Sequence, residues 1–251
     1  MRYILSSRSR HALRKFAAGN VLVALDFDGT VAPIISDPDR AAIPPATRDL
    51  LRNLASCYRC IVVSGRSRAD VRKRVRGIQF DEIIGNHGIE PWNTSLGVAR
   101  VVDAWIPILR LGLRNFAKLV LENKTFSVSI HFRGVRDKKK ARRAIVKLAR
   151  TLPNARLVGG KQVVNIVPFG APNKGFAVEQ ARRRLGCNKV IYVGDDETDE
   201  DAFLLARGRR FLAVRVGANR SSLARFYLRN QREIDLFLRI LVAYCKVAPS
   251  G

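Results

Sequence analysis

The sequence predicts an α/β fold: a parallel sheet with helices on both faces, interrupted by a second, smaller α/β lobe. Three observations lead to this prediction. Short apolar runs rich in β-branched residues alternate with amphipathic helical patterns near both ends of the chain. One of these runs leads directly into DFDGT, which places polar groups where open α/β sheets hold their ligands. The alternation stops between two prolines, Pro91 and Pro168.

The outer segments supply the elements of the larger sheet. The predicted strands are 21–25, 60–64, 82–85, 189–193 and 211–216. The predicted helices are 47–56, 67–75, 173–185 and 199–206, followed by an amphipathic closing helix at 231–247. Because helices separate successive strands, the strands are expected to run parallel, with helices covering both faces.

The middle of the chain predicts the smaller lobe. It contains a helix at 103–121, a strand at 125–132, a helix at 137–151, and two strands around Gly159–Gly160. This helix-strand-helix-hairpin order predicts a separate domain over 91–167, while 1–90 and 168–251 together form the core.

The composition is strongly basic, with 46 Lys plus Arg against 21 Asp plus Glu and a net charge of +25. Such a charge attracts nucleic acid, anionic membranes and phosphorylated substrates. The basic residues are spread along the whole chain without an aromatic-interleaved patch, so a solvated basic surface is favoured and no specific nucleic-acid partner is expected.

Targeting signals and cysteines indicate a protein of the cell interior. The longest apolar runs are too short to span a bilayer. The basic N-terminus lacks a small-residue cleavage site, which predicts a cytoplasmic location. Cys57 and Cys60 form a C-x-x-C without a matching pair, so reduced thiols are favoured over zinc or a redox dithiol.

The scarce acids are concentrated in GDDETDED, where six of eight residues from Gly194 to Asp201 are carboxylates. Like charges that close repel one another, so the cluster costs stability unless a cation or a ring of bases compensates it. The cluster follows a predicted strand, as does the DFDGT segment.

VLVALDFDGT places Asp26 and Asp28 just past the end of a buried strand. Asp26 has the chemistry of a nucleophile, and Asp28 points the same way two residues later. Gly29 and Thr30 predict a tight turn whose free backbone N–H groups suit a phosphoryl oxygen. A calcium loop is the alternative for D-x-D-G, but such loops do not follow a fully apolar strand.

Three further segments lie at matching positions. IVVSGR ends its strand with Ser64, whose hydroxyl suits a phosphate oxygen, and continues with Gly65 and Arg66. APNKGFAVEQ offers Lys174 at a helix start as a fixed cation for phosphate and carboxylate, and IYVGDDETDED contributes Asp195. Each segment alone is a weak signal, but their order and spacing form one constellation.

This set resembles the haloacid dehalogenase superfamily of phosphatases. The resemblance implies a Rossmann-like haloacid-dehalogenase core in which Asp26 attacks phosphorus and Asp28 protonates the leaving alcohol and then activates water. It also implies Mg²⁺ held by Asp26, the backbone carbonyl of Asp28, and Asp195. Asp196 and Asp199 are expected to orient these groups or pair with Lys174. Asp201 is expected to charge the next helix's first turn.

GDDETDEDAF, GNHGIE and ENKTFSVSIHFR are similar to segments of the trehalose-6-phosphate phosphatases. In that family the inserted lobe is a cap that reads the sugar, which implies an inserted α/β cap domain here. The residues that the resemblance assigns to substrate binding are His87 and Glu90 at the crossing between the domains, and Glu122, Lys124, His131 and Arg133 in the cap. A half-buried structural histidine is the alternative for His131.

One departure from the family pattern concerns the strand before the Lys174 motif. The family usually carries a glutamate there, whereas QVVNIVP has Asn165, which cannot form a charge pair. Three hypotheses follow: Mg²⁺-dependent hydrolysis of trehalose 6-phosphate, hydrolysis of another sugar phosphate by a related capped phosphatase, and polyanion binding on this fold. The first implies a functional link to a trehalose-6-phosphate synthase.

Overall fold

Parallel strands form the centre of the larger of two structural units. A computed structural model describes residues 1–35, 37–160 and 162–247. The larger unit comprises Met1–Gly88 and Asn173–Gly251, and the smaller comprises Ile89–Pro172. These bounds lie within five residues of those expected from the sequence.

The sheet of the larger unit has the order β1-β11-β10-β9-β2-β3-β4 within the described residues, and all its pairs are parallel. Its strands are β1 Arg2–Tyr3, β2 Val21–Asp26, β3 Arg59–Val63, β4 Glu82–Ile84, β9 Lys189–Gly194, β10 Phe211–Val216 and β11 Phe226–Leu228. Every residue of β2 is buried, as the continuous apolar run predicts for a central parallel strand.

Helices cover this sheet. They are α1 Ser7–Ala17, α2 Pro45–Ala55, α3 Arg68–Arg74, α6 Lys174–Arg184, α7 Glu200–Phe203 and α8 Ile234–Val247. Leu13 of α1, Leu51 of α2 and Phe237 of α8 share one core cluster with Val23 and Val193 of the strands. The predicted parallel sheet with helices on both faces is confirmed.

Two helices of the larger unit differ from the prediction. The segment 199–206 is divided into the short helix α7 between 3-10 turns at Glu197–Asp199 and Leu204–Arg207, because Asp199 is fixed inside the site described below. Helix α1 was not predicted. Its buried residues Ser9, Leu13 and Ala17 are small or widely spaced, so its apolar stripe is narrow.

The smaller unit contains an antiparallel sheet of order β5-β6-β8-β7. Its elements are α4 Leu96–Gly112, β5 Val120–Asn123, β6 Val128–His131, α5 Lys138–Ala149, β7 Ala155–Val158 and β8 Val163–Pro168. Trp105 and Leu109 of α4, Ile145 of α5, and Ile130 and Ile166 of the sheet share a separate core cluster.

The helix predicted at 103–121 is wrong at both ends. The chain enters α4 earlier, where Ser95 accepts a hydrogen bond from the N–H of Val98 at 3.2 Å. It leaves the helix after Gly112 and turns through Lys118, which has φ of +63°, before β5. A hairpin turn at Thr125, with φ of +69°, shortens the predicted strand 125–132 to β6.

The helices of the described residues fall short of the length and apolar character that a bilayer crossing requires. The four cysteines are free thiols, with Cys60 and Cys187 buried.

Candidate active site

The carboxyl ends of three neighbouring strands bring the predicted site residues together. Asp26 ends β2, Ser64 follows β3, and Asp195 follows β9, while β2 lies between the other two strands. Lys174 is the first residue of α6, after the N-cap Asn173. This edge of a parallel sheet is where ligands bind in open α/β folds.

Lys174 joins two buried carboxylates. Its Nζ donates to Oδ1 of Asp26 and to Oδ1 of Asp199, each at 2.7 Å. Burial alone would lower the pKa of Lys174, but the carboxylates of Asp199 and Asp26 reverse the effect and raise it. Lys174 is therefore a permanent cation in this site.

For Asp26, burial and the neighbouring carboxylates outweigh the effect of Lys174 on the pKa. Burial raises the pKa of its carboxyl group well above the usual range; Lys174 opposes this rise, and the carboxylates of Asp199 and Asp195 add to it. One lysine does not compensate three buried carboxylates, so the cluster calls for further positive charge.

Asp199 organises the loop after β9. Its Oδ1 also accepts the hydroxyl of Tyr192 at 2.6 Å, and its Oδ2 accepts the backbone N–H groups of Asp195 at 2.8 Å and Asp196 at 2.9 Å. Both carboxylate oxygens are thus used to hold the chain, which agrees with the expectation that Asp199 pairs with Lys174 and orients its neighbours. Tyr192 was not predicted, although it lies only three residues before Asp195 on the strand.

The remaining acids of the run have different surroundings. Glu200 accepts from Nη1 of Arg215 at 2.9 Å and from the N–H of Leu223 at 2.8 Å, while Glu197 is exposed. Asp201 lies in the first turn of α7. Asp195 and Asp199 of this acidic run thus lie in the candidate site, whereas Glu200 forms an ordinary ion pair with Arg215.

The donor set fits a hard divalent cation. Carboxylate oxygens of Asp26, Asp195 and Asp199 lie within 4.8 Å of one another, and all three residues are buried. Mg²⁺ prefers oxygen ligands of this kind and binds through one or two carboxylates. Asp199 already accepts hydrogen bonds from four donors, which makes it the least suited of the three to bind an ion directly.

Gly29 allows Asp195 to approach the loop after β2. Its φ is +81°, and a Cβ at this position would lie 2.4 Å from the carboxylate of Asp195. The prediction of free N–H groups here is wrong: Gly29 donates to the carbonyl of Ala32 at 2.7 Å and Thr30 to that of Phe27 at 3.4 Å. The turn closes on its own carbonyls.

Thr30 offers a different group. Its side chain is fully buried, and its Oγ1 has no hydrogen-bond partner among the described residues. A buried hydroxyl without a partner is costly unless a ligand satisfies it. The side chain, rather than the backbone N–H predicted from the sequence, is therefore the group suited to a phosphate oxygen.

Ser64 and its neighbours border the same edge. Ser64 is buried and its Oγ accepts the N–H of Arg66 at 3.1 Å, which leaves the hydroxyl proton to donate. A Cβ at Gly65 would lie 2.5 Å from the ring of His87, so glycine permits the buried imidazole to pack there. The guanidinium of Arg66 binds Asp28 through two hydrogen bonds.

In the smaller unit, two other predicted cap residues contact the carboxylate of Glu122. Nε2 of His131 lies 2.9 Å from Oε2 of Glu122, and Nζ of Lys124 lies 3.7 Å from the same oxygen. Glu122 lies near the end of β5 and Lys124 follows that strand. Arg133 lies two residues after β6 and Glu90 is the second residue of the smaller unit; both are half-buried.

Asn165 lies in the same cross-strand row. Glu122 is paired in register with Ser129, and Ser129 with Asn165. The hydroxyl of Ser129 donates to Oδ1 of Asn165 at 2.6 Å, and Nδ2 of Asn165 donates to the carbonyl of Gly159 at 3.3 Å. Ser129 was missed, although its spacing of two from His131 on a strand places both on one face.

The chain combines a parallel sheet covered by helices on both faces with carboxylate, serine and lysine side chains at one edge, an arrangement whose fold is that of haloacid dehalogenase-like hydrolases. Its fold matches a haloacid dehalogenase-like hydrolase from B. subtilis at a TM-score of 0.62 and 13% identity, covering 87% of this chain and 98% of that one. It also matches the C-terminal domain of C. albicans trehalose-6-phosphate phosphatase at a TM-score of 0.76 and 19% identity, covering 93% and 96%.

Sequence comparison narrows the class. Residues 24–230 match the family model described as trehalose-phosphatase. The chain is 31% identical over 268 aligned residues to "Probable trehalose-phosphate phosphatase G" of Arabidopsis thaliana, covering 92% of this chain and 71% of the relative. The chain belongs to the trehalose-phosphatase family, and its activity is that of a phosphatase.

Proposed function

We propose that this protein hydrolyses trehalose 6-phosphate to trehalose and inorganic phosphate through a phosphorylated Asp26. The observation that carries the proposal is the buried pair in which Lys174 holds Asp26 at 2.7 Å, at the edge that Ser64 and Asp195 also border. Lys174 fixes the carboxylate and leaves its second oxygen, Oδ2, to attack phosphorus.

The reaction has two halves. Asp26 forms a bond to phosphorus as the bond from phosphorus to the sugar oxygen breaks, and Asp28 transfers a proton to that oxygen. A water molecule then attacks the phosphorus of phosphorylated Asp26 while Asp28 takes a proton from that water. Phosphate leaves, and Asp26 and protonated Asp28 are regenerated. General acid–base help of this kind contributes about 10²–10⁴-fold.

The hydroxyls of Thr30 and Ser64 and the ammonium of Lys174 are proposed to bind the phosphoryl oxygens. They are buried, which strengthens their interaction with the charge that develops in the transition state. Gly29, Gly65 and Arg66 complete the loops around them.

Mg²⁺ is the proposed cofactor. Asp26, Asp195 and the backbone carbonyl of Asp28 would hold it, while Asp196 and Asp199 keep the loop after β9 in place. When bound, the ion would offset the negative charges of the phosphate and of Asp26, which otherwise repel each other.

The larger unit is proposed to be the catalytic core and the smaller unit a cap that binds the sugar. Glu122, Lys124, His131, Arg133 and Asn165 supply donors and acceptors for hydroxyl groups, and His87 and Glu90 flank the crossing from core to cap. The substrate would come from a trehalose-6-phosphate synthase in the cytoplasm.

A second candidate, another sugar phosphate, is favoured by Asn165, because an amide replaces the carboxylate usual at this position. The two are separated by measuring phosphate release from trehalose, sucrose, glucose and mannose phosphates, with Mg²⁺ and with a chelator. Fastest release from trehalose 6-phosphate, abolished by the chelator, supports the first proposal. A higher kcat/KM for a different ester supports the second.

Asp26→Asn tests the nucleophile in the same assay. The amide keeps the shape of the side chain but not its attacking anion, so we expect turnover to fall by several orders of magnitude. Asp49→Asn, which changes an exposed aspartate of α2, is the matched control and should have no effect. Near-normal release by Asp26→Asn would contradict the aspartyl-phosphate route.

A further inference from the structure

The carboxylate of Asp28 is held by a two-pronged contact. Nε of Arg66 donates to its Oδ2 at 2.7 Å and Nη2 donates to its Oδ1 at 2.8 Å. A planar guanidinium that binds both oxygens fixes the plane of the carboxylate as well as its position. The side chain of Asp28 is 40% exposed.

Arg66 is itself immobilised. Its Nη1 donates to Oδ2 of Asp70 at 2.9 Å, and its Nη2 donates a second bond to the carbonyl of Pro38 at 2.8 Å. Its guanidinium carbon lies 5.6 Å from the ring centre of Phe27, the residue between the two aspartates of the loop. Each guanidinium nitrogen thus has a defined partner, and the side chain is only 13% exposed.

Asp70 anchors this arrangement to helix α3. Nε of Arg74, one turn later in the helix, donates to both oxygens of Asp70 at 2.9 Å. Arg74 in turn donates through Nη1 to the carbonyls of Asp39 and Ala41. The result is a continuous chain from the helix through Asp70 and Arg66 to Asp28.

We propose that Arg66 and Asp70 are positioning residues that orient Asp28 for proton transfer to and from the reacting oxygens. The inference rests on the proposed function, in which Asp28 serves as acid and base, and it adds Asp70, which lies outside the predicted site. Asp70 contacts no reacting group and acts only through Arg66. Its removal frees the guanidinium and lets the carboxylate rotate away from the productive orientation.

The test exploits the leaving group. A sugar alkoxide departs slowly without a proton, whereas a nitrophenolate departs without one. The ratio kcat/KM includes steps only up to phosphorylation of the enzyme, so hydrolysis of the intermediate does not enter. We expect Asp70→Asn to lower kcat/KM for the best sugar phosphate about tenfold and for p-nitrophenyl phosphate less than twofold, a small part of the general acid–base contribution.

Three further variants separate the positioning role from other effects. Asp28→Asn should show the same selectivity with a larger loss, and adding Asp70→Asn to it should cost nothing more, because the group being positioned is already gone. Glu179→Gln is the matched control: Glu179 accepts from Arg182 and Arg183 within α6, as Asp70 does from its arginines. Glu179→Gln should leave kcat/KM unchanged for both substrates.

Arg66→Lys provides a second route if Asp70→Asn folds poorly, since it keeps the charge but loses the two-pronged contact; the same selective loss is expected. Equal losses for both substrates, or full additivity in the double variant, would overturn the inference. If Asp28→Asn itself is unselective, the acid role in the proposed function is wrong and the inference falls with it. If only Asp28→Asn is selective, the positioning inference alone is wrong.

Discussion

Glu122 lies between two cationic or titratable groups, Lys124 and His131, and its side chain remains 45% exposed. In the proposed function these groups exchange their mutual contacts for sugar hydroxyls. Such a cluster is satisfied by itself without substrate and still offers directed donors and acceptors to a ligand. These contacts give a physical reason for treating Glu122, Lys124 and His131 as one group of binding residues.

The first prediction follows from this cluster. Glu122→Gln should lower kcat/KM for trehalose 6-phosphate by about ten- to a hundredfold, because a site built around hydroxyls leaves its partners unpaired. Hydrolysis of p-nitrophenyl phosphate should change little. Asp103→Asn, an exposed acid that contacts the neighbouring Asn123, is the control in the same unit. An equal loss for both phosphates would indicate a structural role.

A second prediction concerns Glu179 and acid. Hydrogen bonds from Arg182, opposed by burial and aided by Arg183, lower the pKa of Glu179 from 4.5 to about 2. A lowered folded-state pKa means that the stabilisation is present above about pH 4.5 and is lost as the pH falls toward 2. Allowing for solvent screening, Glu179→Gln should cost about 1 kcal/mol at pH 6 and much less near pH 2.

Urea unfolding of the native protein and of Glu179→Gln at several pH values measures this difference. At each pH the variant is compared with the native protein, so the titration of other groups largely cancels. A difference that stays constant from pH 6 to pH 2 would show that Glu179 does not titrate with the expected shift.

At the scale of elements, helix α5 carries the most concentrated positive charge. Its exposed cations are Lys138, Lys139, Lys140, Arg142, Arg143 and Lys147, and among the described residues none of them forms an ion pair. The opposite face, through Ala141, Ile145 and Ala149, is buried. Like charges three or four residues apart on a helix repel one another.

The third prediction is that Arg143→Glu stabilises this unit. The new carboxylate lies four residues from both Lys139 and Lys147, so two repulsive pairs become attractive, worth about 1 kcal/mol together. The gain should appear in denaturant unfolding at low salt and shrink in 0.5 M salt, since the pairs are exposed. Arg143→Gln should give a smaller gain, and destabilisation by Arg143→Glu would contradict the explanation.

The larger sheet was predictable because its strands are short apolar runs with a residue composition typical of buried parallel strands. The predicted strand at 211–216 agrees with β10, three others differ by one residue at one end, and 60–64 is shifted by one residue relative to β3. The short strands β1 and β11 were not predicted. The boundary between α4 and β5 was not predictable in the same way. Lys118 and Thr125 make turns with positive φ, and neither residue type normally signals that conformation.

In the candidate site, the positions of the main residues were predictable from the sequence, but their side-chain partners were not. Motifs at strand ends placed Asp26, Ser64, Lys174 and Asp195 at one edge, because the topology of a parallel sheet decides which ends meet. The partners of each side chain depend on tertiary contacts that no local spacing encodes. Examples are the two-pronged hold of Arg66 on Asp28 and the hydrogen bond from Tyr192 to Asp199.

At the scale of the whole molecule, the two units have separate hydrophobic cores. Both tryptophans of the chain, Trp92 and Trp105, lie in the smaller unit. Tryptophan fluorescence therefore reports the unfolding of the smaller unit, whereas loss of phosphatase activity also reports damage to the larger one.

The fourth prediction uses this difference. Leu51→Ala removes a fully buried side chain from the core of the larger unit and should cost about 2–5 kcal/mol there. In urea, activity should be lost at a lower concentration while the fluorescence midpoint moves less. Ile145→Ala, in the core of the smaller unit, is the counterpart and should shift the fluorescence midpoint. Identical shifts by both variants would mean that the units unfold as one.

Strand β2 has hydrogen-bonded neighbours on both sides, and one of them comes from far along the chain: Leu22 is in register with Val190 of β9. During synthesis on the ribosome, Val21–Asp26 emerges long before β9 exists. At about 5–20 residues per second the strand waits roughly ten to thirty seconds with the backbone hydrogen-bonding groups of one edge unpaired. Newly made chains are thus exposed to misassociation at this edge, and we expect chaperones that shield it to raise the yield of folded enzyme.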